Sequence, residues 1–192
     1  MYSLILDSST KILYTAIVKD ENVVFESYIE GRNDHAKNIV DIIDKGLKKN
    51  NIEAKNLDEV VVGYGPGSYT GVRMAVSVAK MISSFMDKPL YTISTLKLMA
   101  SGSNGIVLSM IDARRNNSFG MIIDMNTNSY IKNEALYPNS ELLESKYDVV
   151  VNDASYKVDP LYVLKNKELV ENKDLLVPNY LRETEAERNQ HD

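Results

Sequence analysis

A chain of 192 residues is sized for one compact domain, or for two small halves sharing a spine. Its hydrophobic content of 44% and charged content of 26% are those of an ordinary soluble globular protein, and no run approaches the ~18 apolar residues of a membrane span. A net charge of −5 with scattered basic residues argues against a nucleic-acid grip of the chain's own, and the lack of cysteine excludes disulfides, thiolate catalysis and thiolate metal ligands.

The N-terminus enters a strand at once, without the zones of an export signal, so the expected location is cytoplasmic. Tyr2 to Leu6 is a short apolar strand that ends at Asp7. Asp7-Ser8-Ser9-Thr10 is a turn, Ile12 to Val18 a second strand, and Val23 to Ile29 a third after the Asp20-Glu21-Asn22 turn. The result is a three-strand meander with an acid closing its first strand. A helix is predicted over His35–Lys49, with Asn33 or Asp34 as its N-cap and Asn50-Asn51 as its stop. Ala36, Ile39, Val40, Ile43 and Leu47 share one face, as in an amphipathic helix lying on a sheet.

Val60 to Tyr64 reads as a buried strand and runs into Gly65-Pro66-Gly67-Ser68-Tyr69-Thr70-Gly71-Val72-Arg73. A helix from Val72 to Met86 follows, with Ser68 or Thr70 as its cap. This glycine-rich knuckle is not a P-loop, since no lysine lies between Gly65 and Arg73. Nor is it a dinucleotide fingerprint, because Thr70 stands where the third glycine belongs. Polar backbone at a helix N-terminus suits an anion or a partner's surface, or else the knuckle is a tight structural turn. Pro89 to Ile93 is the next strand, and Thr95 to Ala100 a short helix capped by Ser94.

The pattern then begins again. Ile106 to Ile111 is apolar and ends at Asp112 as the first strand ended at Asp7, and Tyr14–Val18 aligns with Phe119–Ile123. A duplicated α/β architecture follows, with residues 1–104 as the N-terminal half, 105–182 as a shortened C-terminal half and 183–192 as a polar tail. In the second half a short helix capped by Asn139 or Ser140, a strand over Tyr147–Val151, a helix over Pro160–Lys167 and an apolar patch over Leu175–Leu181 are expected.

The Val72 helix carries two apolar stripes. Val72, Ala75, Val76, Ala79, Ile82 and Met86 form one; Met74, Val78, Met81 and Phe85 form the other. A helix on a sheet needs only one, so the second is covered either by the His35 helix or by another subunit.

Chemistry is sparse. His35 and His191 are the only histidines, which leaves no pair at metal-ligand spacing. Ser68 lacks the Gly-x-Ser-x-Gly spacing and the later histidine and acid of a hydrolase elbow. Asp7 and Asp112, each closing a first strand, occupy the places where an actin-like ATPase holds metal-bound phosphate, but the hairpins after them contain no glycine. Asp7, Ser68, Thr70, Arg73 and Asp112 remain weak candidates for an anion or nucleotide.

Taken together, Ile5–Thr10, Asp34-His35-Ala36, Gly65–Arg73, Ile111–Arg115 and Pro178–Arg182 resemble the TsaB (YeaZ) family of tRNA threonylcarbamoyladenosine biosynthesis. Gly-Pro-Gly-Ser-Tyr-Thr-Gly-x-Arg is the most specific of these pieces. The resemblance implies an actin-like (ribonuclease H-like) α/β fold of two related halves, each a mixed sheet flanked by helices. It implies a non-catalytic partner of the TsaD transferase, joined in one assembly by the small ATPase TsaE, and a homodimer in isolation. Pairing through the first two helices maps onto His35, Ile39, Ile42, Ile43, Met74, Val78, Met81 and Phe85. No cofactor of its own, no metal, no membrane and no strong tRNA binding alone are expected, with ATP or ADP entering only at an interface with partners. The alternative is an actin-like ATPase with Asp7 and Asp112 at the phosphates.

Overall fold

In the computed structural model, residues 1–31 and 35–181 are described, without the side chains of residues 35–37. The first sheet is built on β1 (Tyr2–Asp7), whose side chains alternate between two apolar layers: Leu4 and Leu6 face one, Ile5 the other. β2 (Ile12–Lys19) pairs antiparallel with β1 and repeats the alternation, sending Leu13 and Ile17 to the first layer and Tyr14, Ala16 and Val18 to the second. β3 (Asn22–Glu30) extends the meander as an edge strand, with Tyr28 paired to Tyr14. On the other side of β1 run β4 (Glu59–Gly63) and β5 (Leu90–Ile93), both parallel to it, and the two-residue β10 (Glu168–Leu169) closes that edge antiparallel. Such strands are apolar on both faces because both faces are covered.

One face is covered by α1 (His35–Lys49) and α2 (Tyr69–Phe85). Ile39, Ile43 and Leu47 of α1 and Val72, Ala75, Val76 and Ala79 of α2 bury against Leu4, Leu6, Val60 and Val62. The expected α1 bounds are those observed, and Asn51 ends the helix at φ +54°, the left-handed position asparagine tolerates. Val40, expected on the buried face, is instead 49% exposed. Asn33, Asp34 and the polar tail lie outside the described residues.

The other face of the first sheet packs, with α3 (Thr95–Ala100), against a second sheet. There β6 (Ile106–Asp112) pairs antiparallel with β7 (Asn117–Asp124) and parallel with β9 (Val149–Asn152), while β8 (Ser129–Pro138) forms the edge beyond β7. The strand orders β3-β2-β1-β4 and β8-β7-β6-β9 are the same arrangement twice, as the repeat of Asp7 at Asp112 implied. Among the described residues, α4 (Asn139–Leu143) backs the outer face of the second sheet, and α5 (Pro160–Lys165) buries Val163 in the shared core.

Several local expectations need correction. α2 begins at Tyr69 rather than Val72, so Thr70 lies inside the helix and Ser68 alone caps it, accepting from Gly71 N at 3.4 Å. Neither Asn139 nor Ser140 caps α4: Pro138 holds that position, and Asn139 Oδ1 accepts from the Ser118 hydroxyl. α5 stops at Lys165, capped by Asp159, whose carboxylate accepts from Leu161 N and Tyr162 N. β8 and β10 were not foreseen, because their side chains are exposed or half-exposed and their sequences lack a clean apolar alternation.

Two polar clusters tie the halves together. The Ser3 hydroxyl and the Lys167 ammonium both donate to Glu59 Oε1, and the Glu59 side chain is only 5% exposed. Replacing Lys167 by Met strands a buried carboxylate and is expected to cost ~3 kcal/mol in urea unfolding, part of it recovered in the Glu59→Gln/Lys167→Met double variant. The second cluster joins Tyr14, Tyr28 and Glu26 to Tyr156 and Val158: both Tyr14 and Tyr28 donate to Glu26 Oε1, and Tyr28 Oη accepts from Val158 N at 2.9 Å. Burial pushes the Tyr28 phenol up to about 12 from its ordinary 10, and Tyr14 further in the same direction. Because the folded values exceed the unfolded one, their contribution is complete below pH ~10 and is lost as pH rises through and beyond 12. Alkaline unfolding with delayed phenolate absorbance is the expected result, and phenols titrating before the fold opens would contradict it.

Candidate functional site

The glycine-rich knuckle spans 65–73 between the end of β4 and the first turn of α2. Several of its backbone groups, and the Tyr64 carbonyl before it, bond distant segments of the chain. Ser68 N donates to Ser9 O at 2.7 Å, Thr95 N to Gly65 O at 2.9 Å and Asn179 N to Tyr64 O at 2.7 Å, while the Ser8 hydroxyl donates to Gly71 O at 2.7 Å. A Cβ on Gly67 would lie 2.2 Å from Ser9 O, and one on Gly71 2.0 Å from Ser8 O. Glycine is required at both positions because two main chains touch there. Of the two readings of this loop, the backbone contacts support the structural one.

Asp7 is buried completely. Its Oδ1 accepts from Ser9 N at 2.5 Å and its Oδ2 from the Thr95 hydroxyl at 2.7 Å, and the carboxylate lies so close to Gly63 that a Cβ there would sit 1.8 Å from Oδ2. Thr95 Oγ1 in turn accepts from Gly65 N at 3.1 Å. The carboxylate that an ATPase would present to phosphate is here enclosed beneath the knuckle. Asp112 is its counterpart: Oδ1 accepts from Arg114 N at 2.9 Å, the same two-residue spacing, but the residue is exposed.

Between the halves lies an open cleft of ≈ 770 Å³, bordered by Ser9, Lys11, Ser68, Thr70, Asp112 and Arg114. Of the five weak anion candidates, Ser68, Thr70 and Asp112 border this cleft, whereas Asp7 and Arg73 do not. The charged groups at its rim are partly spoken for, Lys11 by Asp153 at 3.1 Å. Arg73 is turned back on Tyr69, donating to its hydroxyl at 2.6 Å with the guanidinium 5.2 Å from the ring centroid. Tyr69 stacks on Tyr180 at 5.1 Å.

Residues 172–181 run as a strap over α2 and the knuckle. Lys80 donates to Asp174 O and Leu176 O, and Lys173 reaches back to Ser83 O at 3.3 Å and Lys88 O at 2.6 Å. The contacts of the knuckle with Thr95 and Asn179 were not legible in the sequence because both residues lie far along the chain; Thr95 acts through its hydroxyl and amide, Asn179 through its backbone.

The helix-pair residues divide into two groups. Ile39 and Ile43 belong to the sheet-facing core and are not on the surface, a correction to their expected place, because the α1 stripe that contacts the sheet consumes them. Ile42, Met74 and Val78 are half-buried, while Met81 is 57% exposed and Phe85 89% exposed. The side chain of His35 is not among those described. Of the two covers expected for the second α2 stripe, α1 does not reach Met81 and Phe85 and leaves both open.

Residues 29–165 match the family model described as TsaD, tRNA N6-adenosine threonylcarbamoyltransferase. The TsaB proteins (tRNA threonylcarbamoyladenosine biosynthesis protein) of Bacillus subtilis and Buchnera aphidicola of Schizaphis graminum are similar to this chain. The first is 30% identical over 60% of the chain and 52% of its own length, the second 27% over 93% and 90%. The solved YeaZ from Pseudomonas aeruginosa superposes with a TM-score of 0.80 over 94% of this chain and 99% of its own, at 18% identity. The chain belongs to the TsaB/YeaZ family. That family serves tRNA threonylcarbamoyladenosine biosynthesis, and its architecture, two mixed sheets flanked by helices, is actin-like. The chain spans about half the length of the first curated TsaB relatives it matches. No helix among the described residues is long and apolar enough to cross a membrane.

With the family motif acting as a backbone joint, Gly67→Ala and Gly71→Ala are each expected to lower unfolding free energy by ~2 kcal/mol or more. Thr70→Ala, on the exposed side of the same loop, should stay within ~0.5 kcal/mol. Chemical denaturation of the three variants checks this, and tolerance of both alanines at the glycine positions would refute a packed joint.

Proposed function

We propose that this chain is a non-catalytic subunit of the threonylcarbamoyladenosine-forming assembly, and that its α1–α2 face docks a TsaD-like transferase and keeps it competent. The observation that carries the reading is the apolar ridge of Met81 and Phe85, flanked by Val78 and Met74, left outside a helix whose opposite side already covers the sheet. Burying Phe85 alone in an interface contributes ~1.5–3 kcal/mol, and exposed aromatic and methionine side chains are the kind that anchor interfaces. The match of residues 29–165 to a TsaD model supports a partner of related fold, so that two like helix pairs meet across the joint. Without that partner the same ridge pairs two copies of this chain.

The enclosure of Asp7 supports a subunit without phosphoryl chemistry of its own, because its carboxylate oxygens are engaged by Ser9 and Thr95. In this reading ATP or ADP is held only where partners meet, with a TsaE-like ATPase completing the assembly, and the transferase rather than this chain grips the tRNA. The site of action is the cytoplasm.

Phe85→Asp and Met81→Asp each place a charge on the ridge without touching the core. Both are expected to melt with the parent protein, yet to lose at least ~10-fold in affinity for the TsaD-like transferase, read by co-purification and titration calorimetry. A complex of undiminished stability in both variants would overturn the proposal.

A further inference from the structure

A second cavity, of ≈ 220 Å³, shares no lining residue with the cleft. Tyr64 and Ser94, just beyond β4 and β5, form one wall with Lys97 of α3; Tyr130 and Glu134 of β8 and Glu168 of β10 form the other. Three charged side chains therefore converge from three different elements. Among the described residues, none of the three takes part in an ion pair within 4.0 Å. Lys97 Nζ lies 5.6 Å from the Tyr130 ring centroid, and the Lys97 amide donates to the Ser94 hydroxyl at 3.3 Å.

The pocket is half-dry. Burial lowers the Lys97 ammonium and raises the Glu134 carboxyl, while Glu134 and Glu168 act through space to hold Lys97 charged. Opposite charges left unpaired in such a place interact strongly with any bridging ion, since the local dielectric is well below that of water. The volume falls short of the ~300 Å³ at which drug-sized sites begin, which excludes a nucleotide. A simple anion meets two carboxylates and a simple cation meets an ammonium, so neither sign alone is complementary.

We propose that this pocket binds a small zwitterion of the free α-amino-acid class, its ammonium between Glu134 and Glu168 and its carboxylate on Lys97. Tyr64 and Tyr130 flank the ligand's side chain and set its size. Charge-assisted bonds to both termini supply the affinity. The inference is independent of the docking face, which lies on the other side of the first sheet from α3.

The test uses the full chain with a panel of free L-amino acids, and with ethanolamine and acetate as probes carrying one charge each. Melting temperature and amide chemical shifts are the readouts. A saturable stabilisation by at least one amino acid is expected, with shifts centred on Ser94, Lys97 and Tyr130, weakened about 10-fold or more by Lys97→Met and by Glu134→Gln. Phe85→Asp should bind as the parent does. Should either pocket variant fail to fold, Glu168→Gln, on an exposed carboxylate, provides the same reading. The proposal is overturned if no amino acid binds, if ethanolamine or acetate binds as well, or if binding survives the loss of Lys97.

Discussion

The structure depends on one joint, where the main chain of the glycine-rich knuckle lies directly on the main chain of the β1–β2 turn. Ser68 N on Ser9 O and the Ser8 hydroxyl on Gly71 O fix it from one side; Thr95, bonded both to Gly65 and to Asp7, fixes it from below. A buried carboxylate without partners would be costly, and its hydrogen bonds here are what allow Asp7 to stay at the centre. The position of α2 follows from this joint, and with it the direction in which the helix ridge points.

Duplication explains much of the rest. Asp7 and Asp112 close equivalent strands and make the same bond to the amide two residues on, yet one is sealed and the other open to solvent. The difference comes from what covers each hairpin. The knuckle presses on the first, whereas among the described residues the outer face of the second sheet is backed by short α4.

Much of this was legible in the sequence. The apolar runs of β1, β2 and β4 marked them as strands of a covered sheet, and capping and stop residues gave the bounds of α1. The aspartate repeat revealed the duplicated architecture. Side-chain direction was harder to read: Val40 turns outward from the sheet-facing stripe, while Ile39 and Ile43, expected both on that stripe and at the partner interface, serve the sheet. Asp7 was placed correctly in the chain, but its enclosure was hidden because Thr95 of α3 and Gly63 of β4 reach it from elsewhere in the fold. The pocket of Lys97, Glu134 and Glu168 was equally invisible, since no local spacing joins α3, β8 and β10.

The last turn of α2 contains no basic residue, and the positive charge at that end of the helix is brought by Lys173, which donates to Ser83 O and Lys88 O. The strap and the ridge-bearing helix are therefore one mechanical unit rather than two neighbours. Peeling the strap away would take this ammonium from Ser83 O and Lys88 O, leaving them to the Lys88 amide and the Ser83 hydroxyl, and remove the cation from the negative end of the helix. Conversely, a protein clasping the ridge would stiffen a segment almost a hundred residues further along the chain, so that grip at one end is felt as order at the other.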